Sequence, residues 1–310
     1  MNRRDALRLL ATGFAATACG ARLPFAANTH TAPATTPLLT RRIPSTGEEL
    51  PVIGLGTWQT FDVASSPGPL RPLEDVLRTF VELGGRVIDS SPMYGRSETV
   101  VGELSAKLAL REKLFVATKV WTSGRRAGIA QMEESMRKLR ADPIDLMQVH
   151  NLVDADTHLA TFRDWKAAGR IRYLGVTHYT TSGQDAIAHL LAADPIDFIQ
   201  INYSIGERDA ERRLLPLARD RGVAVIVNRP FAGGSLFRRL RSRPLPDYAA
   251  EIGCDSWAQL MLKFIVSHPA VTCAIPATSK VAHLRDNLRA ATGPLPDESL
   301  RARIAAEADA

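Results

Sequence analysis

The chain has 310 residues, 45% of them hydrophobic and 6% aromatic, a composition that belongs to a globular protein and excludes a disordered or fibrous one. With 39 Lys and Arg against 33 Asp and Glu the net charge is +6, but the first 27 residues alone hold four Arg and one Asp, so half of that excess is local and nucleic acid is not expected as a partner. Cys19, Cys254 and Cys273 are too few and too far apart for a disulfide framework or a zinc site, and no metal is expected.

Residues 1–27 begin with Arg3, Arg4 and Arg8, continue through a weakly apolar run over 9–19, and end in small residues at Ala26 and Ala27. That is the order of a cleavable signal peptide. The paired arginines with Leu7 behind them resemble a bacterial twin-arginine signal, which implies export to the periplasm or cell exterior. The apolar run is too short to span a bilayer, so no transmembrane segment is expected. Cys19 follows Ala16-Thr17-Ala18 and is a candidate lipid-anchor site, although the bulky aliphatic residue usual three positions earlier is missing. Residues 28–37 are rich in Thr, Ala and Pro and read as a linker. The remainder, 38–310, reads as one domain.

In that remainder, residues 38–43 and 49–52 flank Pro44-Ser45-Thr46-Gly47 and predict a short hairpin. Apolar, β-branched runs then recur at 52–58, 86–89, 114–119, 144–150, 171–176, 198–202, 223–228 and 271–275. Between them the apolar residues are spaced by three and four, as in Leu73, Val76, Leu77 and Phe80 or in Met132, Met136 and Leu139. Strand and helix in alternation predict parallel pairing with crossover helices. Eight such units without a break in composition predict an α/β fold, a single (β/α)8 TIM barrel whose floor is plugged by the N-terminal hairpin. A doubly wound sheet is the alternative, but no G-x-G-x-x-G follows the first strand.

A barrel of this kind builds its site where the strands run out at their C-terminal ends. The second strand ends in Asp89, followed by Tyr94; the third ends in Lys119 and the fourth in His150. A phenol with a pKa of about 10 is a weak acid at neutral pH unless a cation stabilises its phenolate. Lys119 can supply that cation, and Asp89 can keep the lysine charged. His150 can donate to a carbonyl oxygen and orient it toward Tyr94. The set is a proton donor aimed at a carbonyl, with no nucleophile, and it makes chemical sense only if a cofactor delivers a hydride. Any one of the four alone reads more simply as a buried ion pair, a rim aromatic or a core histidine. Four at successive strand ends do not.

Asp89-Ser-Ser-Pro-Met-Tyr94-Gly, Thr-Lys119 and Val-His150 resemble the tetrad of the aldo/keto reductases, and the similarity runs from residue 38 to about 306, with Gly54-Leu-Gly-Thr57-Trp58, Gly-Val-Thr177 and Ile275-Pro-Ala-Thr278-Ser279-Lys280. The resemblance implies NAD(P)-dependent reduction of aldehydes or ketones by an oxidoreductase acting on CH–OH groups, with Tyr94 as general acid, Lys119 and Asp89 tuning it, and His150 placing the carbonyl. It puts the nicotinamide against Thr57, Thr177, His178, Gln200 and Asn228, where His178 replaces an Asn and Asn228 an aromatic residue of the family. Arg229 follows. The pyrophosphate falls to the small-residue loop Phe231-Ala-Gly233-Gly-Ser235, and a basic run of Arg238, Arg239, Arg241 and Arg243 follows that loop. The adenosine end falls to Thr278, Ser279, Lys280, His283 and Asn287, and with Lys280 and Arg285 close by, NADP(H) is favoured over NAD(H). The alternative is a cofactor-binding regulatory protein with vestigial turnover, which the departures at His178 and Asn228 admit.

Trp58 and Trp121 are expected to wall the pocket for a small-molecule carbonyl, with Asn151 beside them. The segment after His150 is short, so the pocket is expected to be open, partly covered by a long first loop over residues 61–72. The protein is expected to be a monomer.

Overall fold

The computed structural model describes residues 37–309. The expected signal over 1–27, Cys19 within it, and all of the expected linker but Pro37 lie outside the described residues. The first two strands, β1 (Thr40–Arg42) and β2 (Glu49–Pro51), pair antiparallel with Thr40 opposite Pro51, which is the expected hairpin.

Eight parallel strands follow in sequential order: β3 (Leu55–Gly56), β4 (Val87–Asp89), β5 (Phe115–Val120), β6 (Ile144–His150), β7 (Ile171–His178), β8 (Phe198–Asn202), β9 (Ala224–Asn228) and β10 (Cys273–Ala274). Bridges from Ile53 to Ala274 and from Gly56 to Ala277 join the last strand to the first and close the barrel. Gly56 is needed at that seam, because a Cβ there would lie 2.8 Å from the Ile275 carbonyl oxygen. The (β/α)8 expectation therefore stands, with strands near the predicted positions, although β3 and β10 keep ladder pairing over only two residues each.

The helices packed outside are α1 (Pro67–Glu82), α2 (Ser97–Lys107), α3 (Arg125–Leu139), α4 (Ala155–Ala167), α5 (Gln184–Ala193), α6 (Leu214–Asp220), α7 (Ser235–Leu240), α8 (Trp257–Ser267), α9 (Val281–Arg289) and α10 (Glu298–Asp309). No described helix is long and apolar enough to cross a membrane. α1 corrects one expectation: residues 67–72 are its opening turns, so the first loop ends at Ser66. Pro67 and Pro69 are tolerated there, because the first N–H groups of a helix have no partner inside it and Pro fixes a helical φ, whereas Pro72 lies inside the helix and withholds a donor from the Gly68 carbonyl. The spacing of Leu73, Val76, Leu77 and Phe80 buries that helix against the barrel.

Alternation along the strands fills the barrel in layers. At the bottom Ile43 and Leu50 of the hairpin join Phe115, Leu146, Tyr173 and Phe198 in an apolar cluster, with the Phe115 ring 6.0 Å from Phe198 and Tyr173 5.4 Å from Phe198. The hairpin is held to this floor by a hydrogen bond of 2.8 Å between Thr46 and the Tyr173 hydroxyl, and by an ion pair between Glu48 and Arg172. Two to four residues further along these strands, at Lys119, Gln148, Thr177 and Gln200, the interior turns polar.

Candidate active site

The upper layer is set by the same alternation: Lys119 lies two residues beyond Ala117, Gln148 two and His150 four beyond Leu146, and Thr177 two beyond Gly175. Lys119 is fully buried, its ammonium donating to Asp89 Oδ2 and to the Ser90 carbonyl, both at 2.7 Å. The other carboxylate oxygen accepts from Gln200 at 2.8 Å and from Gln148 at 3.3 Å, and Thr177 donates to Gln200 at 3.2 Å. Thr57 donates to the Asp89 carbonyl at 2.9 Å and to Ser90 Oγ at 3.0 Å. A buried charge is tolerable only when paired and hydrogen-bonded, and here both conditions are met.

The Lys119 ammonium lies 5.0 Å from the centre of the Tyr94 ring, whose edge meets His150 at 5.8 Å. Burial works to lower the Lys119 pKa, but Asp89 and Tyr94 outweigh it and the ammonium is held above its ordinary value. Burial raises the Tyr94 phenol; Lys119 pulls it back without cancelling the rise, so the hydroxyl stays protonated at neutral pH. Burial, then the Lys119 charge, push His150 down to about 3, which makes it a neutral imidazole. The site can thus hold a phenol proton and a neutral imidazole beside a fixed cation.

Asp89, Tyr94 and His150 border a cavity of about 640 Å³. Trp58, Trp121 and Asn151 line it too, as do Thr57, Thr177, Gln200, Asn228, Arg229, Phe231 and Gly233. All five large hydrophobic side chains that stay exposed among the described residues, Trp58, Met93, Trp121, Tyr179 and Phe237, stand around this one opening. Only residues 151–154 separate β6 from α4, so no long segment overhangs it from that side.

The family model described as Aldo/keto reductase family matches residues 52–306. The chain belongs to the aldo/keto reductase family. Methylglyoxal reductase YeaE of Escherichia coli is 32% identical over 246 residues, covering 77% of this chain and 84% of the relative. An NADP-dependent D-sorbitol-6-phosphate dehydrogenase of Malus domestica is 25% identical over 296 residues, covering 83% and 90%. The crystal structure of an aldo/keto reductase from Klebsiella pneumoniae, in complex with NADP and acetate, superposes with a TM-score of 0.70 at 25% identity, covering 83% of this chain and 91% of that one. As a member of this family the protein is an NAD(P)-dependent oxidoreductase.

The aldo/keto reductase mouth offers several groups that fit a nicotinamide cofactor. Asn228 Oδ1 is buried in the cavity wall without a hydrogen-bond partner, while its nitrogen donates to the His178 carbonyl at 3.4 Å. Gly233 and Gly234 have φ of +63° and +86°, which leaves their loop free of side chains at the cavity edge. Arg229 faces the same cavity and makes no salt bridge among the described residues.

His178 is not brought into the opening. Thr177 faces inward, so the next residue faces out: its Nδ1 accepts from the Thr180 backbone at 3.3 Å, its ring stacks on Tyr179 at 5.7 Å, and it packs beneath Gly183. Ser235 bonds back to the Ala232 carbonyl and lies outside the cavity wall. Thr278 is buried just before α9 and Asn287 in its last turn, while Ser279, Lys280 and His283 are exposed; none of the five lines the cavity. Gln148, Ser91 and Tyr179 join the site beyond the residues expected from the sequence. The signal for Gln148 was available, since it lies two residues before His150 and therefore on the same face.

Proposed function

We propose that the protein reduces aldehydes or ketones to alcohols with NADPH, Tyr94 giving the proton. The observation that carries this is the gathering of Tyr94, the Lys119–Asp89 pair and His150 at the floor of a single cavity. Reduced nicotinamide, when bound, supplies the hydride to the carbonyl carbon. Asn228, with its unpartnered Oδ1, Thr177 and Gln200 would hold the nicotinamide end, and Arg229 with the glycine loop would hold the phosphates. Neutral His150 donates to the carbonyl oxygen and aims it at Tyr94. As negative charge develops on that oxygen, the Tyr94 proton moves to it, and Lys119 stabilises the phenolate left behind.

The apolar rim of Trp58, Met93 and Trp121 favours an apolar or aromatic carbonyl, and a methylglyoxal-like small aldehyde also fits the open mouth. NADPH is preferred over NADH because Lys280, His283 and Arg285 stand exposed at the start of α9 with no salt bridge among the described residues, ready for an extra phosphate. The enzyme acts as a monomer. Residues 1–27 direct it, folded and loaded, through a twin-arginine route to the periplasm, residues 28–37 form the tether, and Cys19 is where a lipid would attach. The mass of the mature N-terminus decides between cleavage after residue 27 and lipidation at Cys19.

The test of the reaction is NADPH oxidation with a panel of carbonyls. Tyr94→Phe lowers kcat by about 10²–10⁴-fold with NADPH binding retained; a variant that turns over as fast as wild type removes Tyr94 from the role of acid.

A further inference from the structure

One hydrogen bond of the site has no place in the mechanism above. Ser91 Oγ lies 2.9 Å from His150 Nδ1, and Ser91 is fully buried. The same oxygen accepts from the Met93 backbone N–H at 3.3 Å, as in a turn where a serine hydroxyl bonds the chain two residues on. With a donor already on the oxygen, the question is where the hydroxyl proton goes. Among the described residues His150 Nδ1 is the one acceptor within reach. If the imidazole instead carried its proton on Nδ1, the ring would donate to Ser91 and the hydroxyl proton would be buried with no acceptor, which is costly. A doubly protonated ring would meet the same conflict, and burial and Lys119 already oppose its charge.

We propose that Ser91 is a positioning residue: it donates to His150 Nδ1 and so fixes the neutral imidazole as the tautomer with its proton on Nε2, the nitrogen left to donate to the carbonyl oxygen. This rests on the carbonyl-reducing reading of the site. Ser91 is fully buried and does not line the cavity, so it acts only through the ring.

The test uses the full enzyme with NADP⁺ bound, labelled with nitrogen-15 in histidine, the His150 signals being assigned by their loss in His150→Gln. In wild type, His150 Nε2 shows the signature of a protonated nitrogen and Nδ1 that of a bare one; the reverse pattern overturns the proposal whatever any variant does. Ser91→Ala converts His150 to a mixture of tautomers and lowers kcat about ten- to a hundredfold with the Kd for NADPH unchanged. Ser91→Thr, which keeps the hydroxyl, recovers most of the loss. A Ser91→Ala enzyme with wild-type kcat and an unchanged tautomer sinks the idea. A wild-type enzyme that reduces no carbonyl would instead overturn the functional reading, while leaving the tautomer measurement to stand or fall on its own.

Discussion

Lys119 and Asp89 meet at 2.7 Å inside the barrel, with side chains 0% and 3% exposed. Such a pair costs desolvation on both sides, and it is the loss of one partner alone that the fold cannot absorb. Asp89→Asn is therefore expected to destabilise by about 3–5 kcal/mol, the figure for a buried charge left without its partner. The double variant Asp89→Asn, Lys119→Met loses less than the single one, although both are inactive. Denaturant unfolding of the three proteins checks this, and additive losses would contradict it.

Two histidines make the protein acid-sensitive. Burial lowers His268 to about 4, where its Nδ1 accepts from the Ala270 backbone, and His150 falls to about 3. Both pKa values are depressed in the fold, so between their ordinary 6.5 and these values the unfolded chain binds protons that the native one refuses. Their contribution is complete above pH 6.5 and is lost as pH falls toward 4 and 3. Melting temperatures measured from pH 8 to pH 4 should decline below 6.5, and less steeply in His268→Gln.

Glu98 acts in the opposite direction. One carboxylate oxygen accepts from Thr118 at 2.5 Å, while its Oε2 and the Ser135 hydroxyl are buried without partners. Burial raises its pKa above the usual carboxylate range. The folded carboxyl thus resists ionisation that the unfolded chain accepts, and stability falls as pH rises from the ordinary value through the raised one. Glu98→Gln removes that loss and is expected to gain about 1 kcal/mol, or about 2–4 °C in Tm, at pH 8 and nothing at acid pH.

Gly102 marks where α2 crosses α3. A Cβ at that position would lie 1.9 Å from the Lys138 carbonyl oxygen, and backbone cannot move aside as a side-chain tip can. Gly102→Ala should cost about 1–3 kcal/mol despite the gain in helix propensity, a fall in Tm of about 3–10 °C. An unchanged Tm would mean that the two helices slide apart at no expense.

What the sequence made legible was whatever depended on alternation. Asp89 and His150 end two strands and Lys119 is the last residue but one of a third, and the period of two that buries Phe115 and Leu146 also carries Lys119 and His150 to the same interior two layers up. The same period should have turned His178 outward once Thr177 was placed inside. What stayed hidden depended on loops. The prolines of residues 67–72 suit a loop and a helix start equally, and only packing chooses between them. Ser91 meets His150 across 59 positions of chain, because the segment after β4 comes against the end of β6, a contact that no local pattern encodes.

The aromatic floor has a kinetic consequence. Phe115, Tyr173 and Phe198, capped from below by Ile43 and Leu50, put an apolar stopper between the polar layer and the far end of the barrel. In the reaction proposed above, a proton given up by Tyr94 would meet this apolar layer toward the far end of the barrel, and the open mouth would be its way back from bulk water. On that proposal, reloading the acid would be tied to the emptying of the pocket, so that the donor is reset when its product departs.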